Sequence, residues 1–259
     1  MTTSVAIVGA TGRLGQLISR LIDESPDFAL VARLDSASPL ETMLVAELVV
    51  DVTVPGVTQS VVNFAVDHGK RVLVGTSGWS SSRIKALVGR LEAEFLQSAV
   101  IIIPNFSVGS VLATSFATLA ARFYDSIEII EAHHPGKVDS PSGTAVRTAE
   151  LIGAARSSRG PVLAPHADQR ARGQQVSSVP IHSMRLQGIV AKQDVVFGGT
   201  GETLTLSHET IDDSSYETGI MLALRALLAS SGVIVGLDQL IDLNPPAPEA
   251  PTDIPDELE

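Results

Sequence analysis

Ser4-Val-Ala-Ile-Val8-Gly9-Ala-Thr11-Gly12-Arg13-Leu14-Gly15 is the stretch whose reading decides the fold. A short apolar run, Val5–Val8, leads straight into glycines at 9, 12 and 15. Leu14, Leu17, Ile18, Leu21 and Ile22 then recur at helical spacing. A strand feeding a glycine turn that opens an amphipathic helix is the first unit of an open nucleotide-binding sheet. Glycine lets the backbone turn tightly and approach a pyrophosphate, and the helix start offers free N–H groups and partial positive charge. Arg13 adds a full charge, and Thr11 and Leu14 complete the candidate contacts. The competing reading, a purely structural turn, is weakened by the strand before it and the helix after it.

Working outward, Phe28–Leu34 reads as a second strand, ending at Asp35, twenty residues after Gly15. An acid there is placed to accept hydrogen bonds from an adenosine ribose, although Asp is also common at strand ends. Leu48–Val52, Arg71–Val74 and Val100–Ile103 read as further strands, with helices over Val57–His68 and Arg83–Gln97. This alternation predicts an α/β fold with a Rossmann-like doubly wound parallel sheet. Ligands bind at the carboxyl edge of such sheets, which makes Thr53, Gly75, Thr76, Ser77, Asn105 and Phe106 further cofactor candidates. Their bland alternative is as turn and helix-cap residues.

The pattern then changes. A helix over Val108–Phe123, a strand at Ile127–Ala132 and a helix over Thr144–Ala155 precede a Gly-, Ser-, Arg- and Gln-rich stretch, 156–178, that reads as a long loop. Val179–Leu186, Val190–Phe197 and Glu202–Ser207 then read as successive strands, predicting a second α+β domain with an open mixed sheet. We expect residues 1–106, completed by 215–243 through a helix at Ile220–Leu228, to bind the dinucleotide. Residues 107–214 are expected to bind substrate and build an oligomer, and the Pro- and acid-rich 244–259 to be disordered.

Of the 259 residues, 44% are hydrophobic, enough for a proper core. There is no cysteine, which excludes disulfide and thiolate chemistry and fits a reducing cytoplasm. No secretory pattern or membrane-length apolar run is evident, so a cytoplasmic location without membrane attachment is expected. A net charge of −11 argues against nucleic acid as a partner. It leaves room for a small anion where cations are gathered locally.

Glu131-Ala-His133-His134-Pro-Gly136-Lys137-Val-Asp139-Ser-Pro-Ser142-Gly143-Thr144-Ala145 supplies that gathering. Histidine suits proton transfer near neutral pH, Lys137 carries a cation, and Ser142, Gly143 and Thr144 look like an anion-binding helix start. On extended backbone, His133 and His134 would face opposite ways and do different jobs. Two adjacent histidines and Asp139 make a poor metal set, so no metal is expected. His182 and His208, in predicted strands, read as structural histidines.

This run resembles the signature of the 4-hydroxy-tetrahydrodipicolinate reductases (dihydrodipicolinate reductases) of bacterial lysine and diaminopimelate synthesis. Gly9–Gly15, Asp51-Val-Thr53, Gly75-Thr-Ser77-Gly, Pro104-Asn-Phe106 and Gly201-Glu-Thr-Leu-Thr-Leu-Ser-His208 are similar to segments of that family in the same order. The resemblance implies a reductase using NADH or NADPH on a small dicarboxylate. It implies His133 as proton donor, with Lys137 beside it in the catalytic set, and His134, Ser142, Gly143 and Thr144 on the carboxylates. Gly9, Gly12, Arg13 and Asp35 would hold the adenosine-diphosphate half, with Gly75 and Ser77 near the nicotinamide. A homotetramer is also implied, built by sheets whose apolar strands need covering. Asp35 favours NADH; Arg33 on the same strand face, and Arg13, offset this enough that both cofactors are expected.

The chain departs from the family at Asp213 and Tyr216, where an arginine and a phenylalanine are common, and at Gly136, where bulkier residues are common. Two rival readings remain at this stage: a related amino-acid dehydrogenase, and a nicotinamide-binding sensor without turnover.

Overall fold

The computed structural model describes residues 2–94 and 98–243. The end of the helix expected to reach Gln97 and the tail from 244 lie outside the described residues. The first sheet is built from β1 (Thr3–Val8), β2 (Phe28–Leu34), β3 (Leu48–Asp51), β4 (Arg71–Val74), β5 (Ala99–Ile102) and β11 (Gly232–Val235). Their order is β11-β5-β4-β3-β1-β2, and every pairing is parallel. α1 (Arg13–Glu24) and α6 (Glu217–Ala229) pack on one face, and α2 (Thr58–Asp67) and α3 (Ser81–Glu94) on the other. β3 and β5 are buried along their whole length, as central parallel strands covered on both faces must be. The chain reverses its direction of winding between β1 and β3, and that switch point opens a crevice at the carboxyl edge.

The second sheet has the order β10-β9-β6-β8-β7, from β6 (Ser126–His133), β7 (Gln174–Val176), β8 (Val179–Arg185), β9 (Ala191–Gly199) and β10 (Glu202–Thr210). β6 runs parallel to β8 and the other pairs are antiparallel, so the sheet is mixed. α4 (Val108–Ala120) and α5 (Gly143–Ala155) cover one face, over a core that includes Ile127, Ile129, Val195 and Phe197. The other face carries Glu128 bonded to His182 at 2.7 Å and ion-paired with Arg172. It is thus more polar than the sequence pattern suggests.

Two strands differ from the sequence reading. β7 lies in the stretch expected to be all loop; it turns into β8 through Ser177 and Ser178, at φ 49° and 68°. Serine gives little signal for a left-handed hairpin turn, where Asn-Gly or Gly is the usual mark. β11 is a four-residue edge strand that pairs with β5 in parallel and carries no local signal of that partner.

Candidate active site

The glycine turn is shaped for close approach. Gly9 has φ +90°, and a Cβ there would fall 2.5 Å from the Val52 carbonyl oxygen. A Cβ on Gly15 would fall 2.3 Å from the Gly9 carbonyl oxygen, so only glycine lets α1 start against the turn. Gly12 caps α1 without a side-chain bond, and the first turn holds no acid. The first N–H groups therefore have no intrahelical acceptor, and a cradle of backbone donors faces the crevice. Arg13 stands exposed at its lip, with Nε 3.7 Å from Asp213 Oδ2.

Asp35 follows β2 and is exposed. Its Oδ1 accepts from the Ala37 N–H at 3.0 Å and the Ser38 hydroxyl at 2.7 Å. These bonds, Ser38 first, hold its carboxyl below the usual range, and neither is made to Oδ2. Arg33, expected to share that face, is paired with Asp23 at 2.8 Å.

Other cofactor candidates are engaged with the protein. Thr53 donates its N–H and hydroxyl to Asp51 Oδ1, at 3.1 and 2.6 Å. Thr76 turns inward and donates to the Asp51 carbonyl at 3.3 Å, whereas Ser77 is exposed. Asn105 accepts from the Ser107 N–H at 2.9 Å and donates to the Ser110 hydroxyl at 2.9 Å, holding the entry to α4. Trp79 donates to the Thr58 hydroxyl at 3.1 Å and packs in the core, away from the main cavity.

A cavity of about 370 Å³ lies between the two sheets. Arg13, Leu14, Gly75, Asn105 and Phe106 line it from the dinucleotide side. His133, His134, Lys137, Ser142 and Thr144 line it from the other. Gly9, Thr11, Gly12, Asp35, Thr53, Thr76, Ser77 and Gly143 are outside its wall, most of them on the glycine turn and the neighbouring strand ends.

His133 is the last residue of β6 and His134 is already off the strand. The expected alternation therefore does not apply, and both rings reach the same cavity. His133 Nδ1 lies 2.6 Å from Glu131 Oε2. Burial pushes the imidazole below its ordinary value, and the Glu131 carboxylate opposes that shift. Lys137 Nζ donates to Asp139 Oδ1 at 2.8 Å. Ser142 caps α5, its hydroxyl accepting from the Ala145 N–H at 3.2 Å, so Gly143 and Thr144 sit in the helix's open first turn. Gly136 leaves space for the His134 ring, whose Nδ1 would lie 3.2 Å from a Cβ there.

Sequence reasoning gave no role to Glu131, Arg185 and Lys192, and read His208 as a structural histidine. Glu131 is fully buried, and Arg185 of β8 grips both its oxygens at 3.0 Å. The Glu131–His133 spacing was readable, since residues two apart on a strand share a face. Arg185 was not, because only the β6–β8 register places it opposite His133. His208 of β10 is in the cavity wall, 3.2 Å from the Ser107 hydroxyl, and burial lowers its pKa. Lys192 lines the cavity from β9 and is paired with Asp194 at 3.4 Å. Asp213 and Tyr216 both reach the cavity, where burial and then Asp213 raise the Tyr216 phenol.

A dinucleotide turn and a histidine–lysine cluster opening on one cavity are what a Rossmann-type oxidoreductase requires, and fold and site assign the chain to that class. More narrowly, it belongs to the dihydrodipicolinate reductase family. Residues 3–106 match "Dihydrodipicolinate reductase, N-terminus" and residues 109–241 match "Dihydrodipicolinate reductase, C-terminus". The 4-hydroxy-tetrahydrodipicolinate reductase of Clavibacter michiganensis subsp. michiganensis is 66% identical over 94% of this chain and 88% of its own. That of Nocardia farcinica is 44% identical over 94% of this chain and 100% of its own. The dipicolinate-bound dihydrodipicolinate reductase of Paenisporosarcina sp. TG-14 superposes with a TM-score of 0.80 at 28% identity, covering 93% of this chain and all of that one.

Proposed function

We propose that this chain reduces 4-hydroxy-tetrahydrodipicolinate to tetrahydrodipicolinate, with NADH or NADPH, in lysine and diaminopimelate synthesis. The observation that carries this reading is the shared cavity, which sets His133 and Lys137 on one wall against Gly75 and Phe106 on the other. A reduced nicotinamide held by these residues would supply the hydride for the substrate ring. The chain's own groups bind, orient and handle the proton. The N–H groups from Arg13 onward and the Arg13 guanidinium hold the pyrophosphate, and Asp35 Oδ2 takes the adenosine ribose. Gly9, Thr11 and Leu14 shape the turn. Thr53, Gly75, Thr76, Ser77, Asn105 and Phe106 frame the nicotinamide pocket, several by fixing its loops rather than by free side-chain groups. Lys137, His134 and the Ser142-Gly143-Thr144 helix start neutralise two carboxylates, in keeping with the dicarboxylate bound by the Paenisporosarcina relative. His133, from the other ring nitrogen, delivers a proton to the carbanion-like carbon left after hydride addition.

In this reading 1–106 with 215–243 form the cofactor half and 107–214 the substrate half. A homotetramer and a cytoplasmic setting accompany it. Among the described residues no helix is long and apolar enough to cross a membrane. Light scattering tests the assembly, and a monomer at micromolar concentration removes it. For the activity, the substrate is generated in situ from pyruvate and aspartate semialdehyde by its synthase, and loss of reduced-nicotinamide absorbance is followed. Substrate-dependent oxidation is expected. Cofactor binding without turnover would instead support a nicotinamide-binding sensor.

A further inference from the structure

We propose that Glu131 is the positioning residue of the proton donor: together with Arg185 it fixes the His133 ring, sets its tautomer and holds the charge that lets it carry a proton. This rests on the reading of His133 given above, but its geometry does not.

Glu131 is fully buried, where an unpaired carboxylate would be strongly disfavoured. It is compensated on every side. Arg185 Nη1 and Nη2 each donate at 3.0 Å, one to each oxygen. The Ser142 N–H lies 3.3 Å from Oε1, and His133 Nδ1 2.6 Å from Oε2. Burial pushes the carboxyl up, but the bonds from Arg185, Ser183 and His133 outweigh it and keep it ionised. An ionised carboxylate only accepts, so His133 Nδ1 must carry hydrogen in both protonation states. That leaves Nε2 as the nitrogen that gains and delivers the mobile proton. Ser142 is bonded to the same carboxylate, which ties the start of the anion-binding helix to the donor's ring. Arg185 extends the brace, donating to the Asp139 carbonyl at 2.6 Å and, through Nε, to the Lys137 carbonyl at 3.3 Å. One arginine therefore aligns the strand that bears His133 with the loop that bears Lys137.

The charges facing His133 come from several elements. Glu131 is on its own strand, Lys137 on the following loop and Arg185 on β8. Lys192 of β9, His208 of β10, Arg13 and Asp213 line the same cavity, as does His134. Among the described residues, Glu131 is the carboxylate bonded to the ring.

Three measurements on the full-length protein test this. The first needs no substrate: nuclear magnetic resonance of histidine-labelled protein, with His133 assigned by its loss in His133→Gln. The neutral ring should show the Nδ1–H tautomer; the Nε2–H tautomer would overturn the proposal, and this holds even if no Glu131 variant folds. The second is the His133 titration in Glu131→Gln, which should move to lower pH because the opposing negative charge is gone. Arg185→Met should move it to higher pH, because Glu131 is then uncompensated. The third is turnover. The rate of Glu131→Gln should fall roughly 10- to 100-fold, within the span of a general acid's contribution, with the Michaelis constant for substrate changed much less. Its alkaline limb should shift to lower pH. A fall in rate with neither limb nor titration displaced means a merely structural acid and overturns the proposal. Failure of wild-type turnover would count against the proposed reaction, while the tautomer and titration would still decide the role of Glu131.

Discussion

Replacing Lys137 with Met tests the substrate half of the site most directly, because it removes the ammonium and keeps most of the stem. Among the described residues, Lys137 Nζ is paired with Asp139 Oδ1 at 2.8 Å, and the two side chains are 23% and 57% exposed. A hydrogen bond from a charged group to a ligand carboxylate is worth about 1.5–3 kcal/mol. Against this, the lysine must first loosen from Asp139, and a pair this exposed is worth at most about 1 kcal/mol. The net loss is then about 1–2 kcal/mol, a weakening of roughly 5- to 30-fold. The fold should be nearly indifferent, since the variant leaves no buried charge behind; the melting temperature should stay within about 2 °C. The assay is calorimetric titration of dipicolinate into protein with reduced nicotinamide present, at low and at raised salt. Wild-type affinity should fall with salt and the variant's should fall less, having lost one of the attracting charges. A change of affinity under about twofold, with an unaltered salt dependence, would show that Lys137 belongs to its ion pair and not to the ligand.

His133→Gln should lower the maximal rate by about 10²–10⁴-fold, with substrate affinity little altered; full rate would mean that another group donates the proton. Burial holds the free imidazole low, and a bound dianion favours its protonated form. Dipicolinate should therefore bind more tightly as pH falls through the bound-state value toward the lower free-state one, and lose that gain as pH rises back through the bound-state value; calorimetry of His133→Gln should show that dependence flattened. Asp35→Ser should shift the ratio of catalytic efficiencies toward NADPH by roughly tenfold, because Arg33 is committed to Asp23; a wild-type preference for NADPH of about tenfold or more would refute the assignment of Oδ2 to a free ribose hydroxyl. Asp213→Asn frees Arg13 and removes a negative charge from the crevice, so fluorescence titration should show cofactor binding tightened roughly two- to fivefold. Weaker binding would show that Asp213 itself contacts the cofactor.

What was legible in the sequence was what local chemistry encodes. Val5–Val8 with Gly9, Gly12 and Gly15 gave the first unit, and the apolar runs of β3, β4 and β5 gave a buried parallel sheet because such strands are hydrophobic on both faces. The His133–Thr144 run showed its two histidines, its lysine and the hydroxyls of a helix start within a few residues of each other. What escaped depends on register or on a distant partner. β11 is intelligible only beside β5, and β7 only beside β8. Arg185 gains its role because β6 and β8 run parallel and bring it level with His133. Thr53 and Asn105 sit where strand-edge reasoning placed them, yet their side chains are spent on Asp51 and on the start of α4. Position at a sheet edge cannot say whether a hydroxyl or amide is free. Asp213 read as a departure of unknown consequence until the second half of the chain brought it to Arg13.

A buried carboxylate at the back of a site meant for a dianion looks counterproductive, since Coulomb repulsion is strongest where the dielectric is low. Arg185 resolves this. By taking both oxygens of Glu131 it makes the pair neutral at a distance, so the field at the cavity is left to the groups that line it, Lys137, Lys192, Arg13 and Asp213 among them, with the start of α5 and the charge state of His133. Close up, the imidazole is bonded to Oε2 itself, so the carboxylate acts on it more strongly than the guanidinium behind does. The same two residues can therefore favour a proton on His133 without repelling the anion that is to receive it. Glutamine in place of Glu131 would preserve shape but leave Arg185 uncompensated, adding attraction for the ligand while taking away the donor's support. Affinity and rate would then move in opposite directions, a separation that packing alone does not produce.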